Sequence, residues 1–152
     1  MRFLSICYLV LACLSFPVAA QEREWILDAA DEDAFLLFGV PETDDVGVSL
    51  WCKIGSGKVK LFFPDGSPSL APDIKADFKI NIEGKEHVLN GTTTANDMTG
   101  ATSIEAELSA DDGLFAELQK ADRFRVVISS HSTIFPLIDA GLDNLLRLCR
   151  VK

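Results

Sequence analysis

The side chains that could carry out acid–base chemistry near neutral pH are few in this chain. His87 and His131 are its only histidines, and imidazole is the side chain that ordinarily titrates in that range. His131 lies within Ser129-Ser130-His131-Ser132, which places hydroxyl groups beside an imidazole, as a hydrolase would need. No GxSxG motif or other nucleophile signature accompanies it. We therefore expect a polar turn at a strand end here, and a small hydrolase using His131 is the alternative.

Two short acidic runs could supply oxygen ligands to a cation. Asp28, Asp31, Glu32 and Asp33 form the first run, and Thr43-Asp44-Asp45 forms the second. Neither run has the ligand spacing or the glycine of a calcium-binding loop, and the histidines and cysteines show no zinc-ligand spacing. We interpret both runs as solvated loops and predict neither a metal site nor a cofactor.

The N-terminal segment has the pattern of a secretory signal peptide. Arg2 precedes an apolar run, and the small residues Val18 and Ala20 occupy the positions that a signal peptidase recognises. The run is shorter than the ~20 apolar residues of a membrane-spanning helix. Residues 1–20 are therefore predicted to be removed, which leaves residues 21–152 as one domain in the bacterial periplasm or outside the cell.

Loss of the signal peptide leaves Cys52 and Cys149 as the only cysteines. Export places them where disulfides persist, and no other intramolecular pair remains. Cys149 ends an apolar stripe through Ile138, Leu142 and Leu145, and the spacings of 4, 3 and 4 residues are typical of an amphipathic helix. We predict a Cys52–Cys149 disulfide that docks this helix on the core face of a sheet, with two free thiols as the alternative.

The stretch from Val46 to Phe63 predicts a β-hairpin. Apolar residues fall at even positions on its first strand and at odd positions on its second, which aligns the two inward sets if Cys52 pairs with Leu61. The same register places Trp51 opposite Phe62 on the outward face. The predicted inward set consists of Val46, Val48, Leu50, Cys52, Ile54, Val59, Leu61 and Phe63.

The outward face of this hairpin has two interpretations. If nothing covers it, Trp51 and Phe62 form a binding patch with a positive rim supplied by Lys53 and Lys60. If a second sheet or a helix packs over it, the two aromatic side chains belong to the core. We favour the covered interpretation, because a β-rich domain of this size usually buries both faces of its central hairpin.

The remaining pattern predicts a mainly β domain. Short strands follow one another without long intervening helices, so we expect an antiparallel β-sandwich-like fold with a short internal helix and a C-terminal amphipathic helix. Residues 34–40 are apolar at nearly every position, as expected of a strand covered on both faces or of one in the middle of a sheet. The other predicted segments are strands at 24–30, 76–82, 102–108 and 124–130, loops at 64–73 and 90–100, and a helix from Ser109 to Ala121.

The charge of the exported form limits its partners. Removing Arg2 with the signal peptide leaves 13 of the 14 basic residues against 23 acidic ones, a formal charge of −10. Nucleic acid and anionic membranes would repel such a surface. We expect no nucleic-acid binding, no stable membrane insertion after signal cleavage, and another protein as the partner.

The order of several segments resembles a known group of proteins. A strand ending in a cysteine (VSLWC), alternating strands, a short helix (LFAELQKA), an apolar strand (FRVVIS) and a closing LLRLC are similar to small exported bacterial proteins of the invasion-associated type and to periplasmic proteins that accompany type VI secretion. The resemblance spans most of the exported chain. It implies an envelope location and a noncatalytic accessory role, and it transfers no site residues.

The sequence thus favours a noncatalytic binding or accessory protein in the periplasm, including an inhibitor of an exported hydrolase. The competing expectations are the hydrolase using His131 and a structural envelope protein.

Overall fold

A computed structural model describes residues 22–64, 70–96 and 100–151. The predicted signal peptide and residues 65–69 of the predicted 64–73 loop lie outside the described residues. The elements are β1 (Glu24–Ala30), β2 (Asp33–Gly39), β3 (Val46–Lys53), β4 (Lys58–Phe63), β5 (Lys75–Ile82), β6 (Lys85–Asn96), β7 (Ala101–Ser109), α1 (Gly113–Leu118), β8 (Arg123–Ile128), β9 (His131–Pro136) and α2 (Leu142–Cys149).

The nine strands form one antiparallel sheet in the order β1-β2-β3-β4-β7-β6-β5-β8-β9. The sheet curls so far that its two edges approach each other at one point, where the indole Nε1 of Trp25 in β1 donates to the carbonyl oxygen of Pro136 in β9 at 2.7 Å. Inside the curl, the Phe63 ring packs against Phe78 and Phe135, with centroids 5.5 and 6.2 Å apart. The predicted mainly β, antiparallel fold with two short helices is confirmed.

Alternation decides which side chains enter this core. Phe78, Ile80 and Ile82 of β5 are all buried, as their period of two predicts. In β8, Phe124, Val126 and Ile128 are buried in the same way. The inner face of the curl is therefore mainly apolar, and Leu118 of α1 and Leu145 of α2 are buried in the same core.

The β3–β4 hairpin forms, but its predicted register is wrong by two residues. Leu50 pairs with Leu61, and Trp51 pairs with Lys60. A shift of two residues leaves every side chain on its own face, so alternation does not discriminate between the two registers. Backbone contacts of the turn decide instead: the N–H of Ile54 donates to the carbonyl of Glu32 at 2.7 Å. Ile54 consequently leaves the core and is 37% exposed.

The predicted loop over residues 90–100 is wrong through Asn96, because β6 continues to that residue. The segment looks polar because of its threonines, yet threonine suits a strand. Thr93 is fully buried, and its hydroxyl donates to the carbonyl of Ala71 at 2.8 Å and accepts from the N–H of Ile74 at 3.0 Å. A threonine whose hydroxyl is hydrogen-bonded therefore occupies an inward strand position in a segment that the sequence pattern predicts to be a loop.

Both helices begin later than predicted. Asp112, and not Ser109, caps α1, since its carboxylate accepts from the N–H of Leu114 at 2.9 Å. In α2 the left-handed backbone of Gly141 (φ 71°) precedes the first turn, so Ile138 lies outside the helix and is 66% exposed. The buried stripe of α2 comprises Leu142, Leu145, Leu146 and Cys149.

Cys52 on β3 and Cys149 at the end of α2 form the disulfide that the sequence predicts, with their Cα atoms 5.7 Å apart. Two further contacts hold the same junction. The N–H groups of Gly55 and Gly57, in the β3–β4 turn, donate to the carbonyls of Leu148 and Cys149 at 2.9 and 2.8 Å. The turn therefore satisfies carbonyls that the end of α2 would otherwise leave unpaired. Within the described ranges, neither helix is long and apolar enough to cross a membrane.

Candidate functional site

The outer face of β2, β3, β4 and β7 carries a group of aromatic and apolar side chains outside the core. Side chains alternate between the two faces of a strand, so these residues lie on the face away from the buried residues of the same strands. We call this group the Trp51 surface, and it consists of Phe35, Leu37, Ser49, Trp51, Lys60, Phe62 and Glu105.

Strand pairing arranges the Trp51 surface in two rows. Phe35, Trp51 and Lys60 are direct cross-strand neighbours in the first row. Leu37, Ser49, Phe62 and Glu105 follow one another in the second row. Trp51 and Phe62, which the sequence places opposite each other, are therefore diagonal neighbours. Both lie on the predicted face.

Contacts on both sides hold the Trp51 ring. Its indole stacks on the Phe35 ring, with centroids 6.0 Å apart and planes 19° from parallel. On the other side, the Lys60 ammonium lies 4.6 Å from the indole centroid, within the range of a cation–π contact. Lys60 also pairs with Glu105 at 3.0 Å. The indole is thus fixed before any partner arrives.

The lysines around Trp51 each have a glutamate partner. Lys53 pairs with Glu32 at 3.1 Å, and Lys58 pairs with Glu107 at 2.6 Å. The hydrogen bond from Lys58 lowers the pKa of Glu107, which keeps that carboxylate ionised. Lys60 is likewise paired with Glu105. The rim that we expected to be positive therefore consists of paired opposite charges and has little net charge.

The Trp51 surface is open in the described part of the chain. Trp51 and Phe62 are half-buried, and they line an open concavity in the sheet. Helix α2 packs on the opposite face of β2, β3 and β4, where Cys52 lies. No described element covers the outer face, so the structure does not support the second layer that we favoured from the sequence.

The sequence allows two interpretations of the strand that holds Phe35 and Leu37, and β2 fits the second, since it lies inside the sheet between β1 and β3. Phe35 and Leu37 belong to the Trp51 surface. They are half-buried, whereas their neighbours Ala34 and Leu36 are buried against the core. The uninterrupted apolar run at residues 34–40 was the feature of the sequence that could have indicated this surface. An uninterrupted run in a strand indicates that both faces are apolar, and it does not reveal whether the second face is covered.

The histidines show no catalytic arrangement among the described residues. His131 is exposed at the start of β9, and no described carboxylate is hydrogen-bonded to it. The hydroxyl of its neighbour Ser132 accepts instead from Arg125 at 3.2 Å. His87 contacts Glu117 of α1 at 2.8 Å, which attaches that helix to β6. Within residues 22–64, 70–96 and 100–151, no three potential ligand residues are grouped as a metal site would require.

Comparison with known proteins adds one weak structural resemblance. No protein-family model matches the chain, and no curated protein matches it. The crystal structure of invasion associated protein b from Bartonella henselae is similar over 80% of this chain and 93% of that chain, with 12% identity and a TM-score of 0.42.

Proposed function

We propose that this chain is an exported, noncatalytic protein that binds another protein through the Trp51 surface. The observation that carries the proposal is the position of Trp51, an indole fixed by Phe35 and Lys60 in the centre of a face that no described element covers. An apolar patch of this kind, rimmed by polar groups, is typical of protein interaction sites.

The composition of the surface supports a protein partner. Tryptophan, tyrosine and arginine dominate the binding energy of protein interfaces, and they act from the centre of a patch that excludes water. Trp51 has this central position, with the ion pairs of Lys53, Lys58 and Lys60 around it. Because the indole is already ordered, binding would require little further loss of side-chain entropy.

The charge distribution argues against other classes of partner. The exported chain has a formal charge of −10, and Lys60 of the Trp51 surface and the neighbouring Lys53 and Lys58 are all paired with glutamates. This surface therefore has no positive potential that would attract nucleic acid or an anionic membrane. An open, nearly neutral aromatic face suits a partner protein with a complementary apolar patch and hydrogen-bonding rim.

The proposed location is the bacterial periplasm. A signal-peptide pattern precedes the domain, and the Cys52–Cys149 disulfide fits a compartment where such bonds persist. An accessory role in the envelope follows from this location together with a binding surface that contains no catalytic group.

Site-specific photo-cross-linking in living cells tests the proposal. A photoreactive phenylalanine analogue placed at Phe62 reports on the Trp51 surface, and the same analogue at Val88 is the matched control. Val88 is an apolar residue on the outer face of β6, 56% exposed and outside the Trp51 surface. We expect a single defined protein adduct from position 62, none from position 88, and loss of the adduct when Trp51→Ala is added.

Identical adducts from both positions, or no protein adduct from position 62, would contradict the proposal. Oxidised folding of each variant, checked by the absence of free thiols, excludes misfolding as the cause of a missing adduct.

A further inference from the structure

The outer edge of β9 has unpaired backbone groups beside a small pocket with an apolar floor. β8 and β9 are joined by the two-residue turn Ser129–Ser130, and Ile128 pairs with His131 across it. In such a hairpin, alternate residues point their N–H and C=O groups away from the partner strand. In β9 these residues are Ser132, Ile134 and Pro136.

Two observed hydrogen bonds confirm this alternation. The N–H of Leu137 donates inward, to the carbonyl of Asp122, at 2.8 Å. The carbonyl of Pro136 points outward and accepts from the indole of Trp25 at 2.7 Å. Ser132 and Ile134 are both exposed, and no described residue pairs with their outward backbone groups. Four hydrogen-bonding groups therefore remain at this edge.

The pocket lies on the inner face, where the curled sheet does not close between β9 and the start of β3. It has a volume of about 140 Å³. Its floor is apolar, and the Arg23 side chain, held by Asp45, lies at its rim. The lining residues are Arg23, Gly47, Phe63, Val126, Ile128, His131, Thr133 and Phe135. A cavity of ~150 Å³ holds a molecule the size of benzene, so this pocket accommodates one leucine or phenylalanine side chain.

We propose that an extended segment of a partner protein adds a tenth strand at the edge of β9 and places one apolar side chain in this pocket. The segment would run antiparallel to β9 and exchange backbone hydrogen bonds with Ser132 and Ile134. The residue between these two contacts would lie opposite Thr133, which faces the pocket. Pro136 ends the site because it has no N–H and its carbonyl is bound to Trp25.

A second copy of this chain fits the site less well. In a two-fold pairing of β9 with β9, Thr133 would meet Thr133 of the other copy, and a hydroxyl would face the apolar floor. Two copies with a formal charge of −10 would also repel each other. The occupant is therefore a partner segment with an apolar residue flanked by uncharged or basic ones.

A peptide titration of the processed, oxidised protein followed by NMR tests the proposal. The probe is the blocked heptapeptide Lys-Thr-Thr-Leu-Thr-Thr-Lys, and its matched control carries aspartate in place of leucine. We expect saturable shifts and slower amide exchange at Ser132 and Ile134. The control peptide should bind at least about tenfold more weakly, because it cannot bury an apolar side chain.

Two variants at one position separate the backbone contact from the side chain. Ile134→Pro removes the outward N–H that would donate to the peptide and should therefore abolish binding. The variant should still fold, because proline is tolerated on an edge strand where that N–H faces solvent. Ile134→Thr keeps the N–H and should bind the peptide. Trp51→Ala should leave the titration unchanged, so a failure here is distinguishable from a failure of the proposed function.

Several results would overturn the proposal. These are the absence of saturable shifts at millimolar peptide, equal affinity for the aspartate peptide, or undiminished binding to a folded Ile134→Pro variant. Concentration-dependent dimerisation through β9, measured by sedimentation of the protein alone, would identify a second copy as the occupant and would overturn it as well.

Discussion

The backbone N–H of Gly57 donates to the carbonyl of Cys149 at 2.8 Å, directly beside the disulfide that joins Cys149 to Cys52. The central hairpin and the C-terminal helix are therefore connected both covalently and through the backbone. This junction lies on the inner face of β3, while Trp51 lies on the outer face of the same strand. The contacts that order β3 from the inside also position the proposed binding residue.

Removal of the disulfide should lower the free energy of unfolding substantially. The bond joins residues 97 positions apart, and for a loop of that length the chain-entropy model gives about 4–5 kcal/mol as an upper figure. We expect the double variant Cys52→Ala/Cys149→Ala to lose about 3–5 kcal/mol in urea denaturation. Reductant should lower the midpoint of the wild type and leave that of the double variant unchanged. Two labelled thiols in the denatured, unreduced wild type would refute the disulfide.

The turn glycines should be costly to replace. Gly55 and Gly57 have φ values of 74° and 73°, a left-handed conformation that costs other residues roughly 1–2 kcal/mol. Gly55→Ala and Gly57→Ala should each destabilise the protein by about 1 kcal/mol or more. Gly113→Ala is the control, because Gly113 begins α1 and an added Cβ would have no atom within contact distance. The free energy of unfolding of this variant should be unchanged or higher. Equal effects at all three positions would argue against strain in the turn.

The inward faces of β5 and β8 could be predicted from the sequence, because burial imposes a strict period of two. Ile80 and Val126, for example, could not exchange faces with their neighbours without exposing an apolar set. The register of the hairpin could not be predicted in the same way. Pairing Leu50 with Leu61 or with Phe63 satisfies alternation equally, and the choice depends on a turn whose partners, Glu32 and Leu148, are distant in sequence.

The candidate site was predicted in part. Trp51, Phe62 and Lys60 could be assigned to one outward face, but whether that face is covered depends on where α2 packs. Phe35 was missed because its cross-strand pairing with Trp51 depends on the register between β2 and β3. The glutamate partners of Lys58 and Lys60 come from β7, about 45 residues further along the chain than Lys60, and no local pattern reports such a contact.

The attachment of α1 to β6 should depend on pH. Hydrogen bonds from Lys85 and His87 lower the pKa of Glu117 below its ordinary value of 4.5. A carboxyl group whose pKa is lower in the folded state stabilises the fold above its unfolded pKa, and this contribution is lost as the pH falls through the folded value. Between about pH 6 and pH 3, the unfolding free energy of the wild type should therefore fall more than that of Glu117→Gln.

Glu24→Gln is the control for this titration, because Glu24 is exposed at the start of β1 and has no ion pair among the described residues. Its pH dependence should follow that of the wild type. If Glu117→Gln also followed the wild type, the contacts of Glu117 with Lys85 and His87 would have no influence on folding.

The contact of Lys60 with Trp51 should be measurable as a coupling energy. A double-mutant cycle with Lys60→Gln and Trp51→Leu should give about 0.5–1 kcal/mol, as expected for a cation–π contact at a partly exposed site. The matched cycle uses Lys58→Gln, since Lys58 lies on the same strand and is bound to Glu107. Its coupling to Trp51 should be close to zero. Equal couplings in both cycles would indicate a general charge effect.

The most direct test of the binding account is an affinity measurement with the protein captured by cross-linking at position 62. The purified partner should bind the wild type and the Val88→Ala variant equally, and it should bind Trp51→Ala at least about tenfold more weakly, because truncation of a central interface tryptophan typically costs ~2 kcal/mol or more. The three proteins should have the same unfolding cooperativity, which confirms that each is folded. Equal affinity of the wild type and Trp51→Ala would contradict the account.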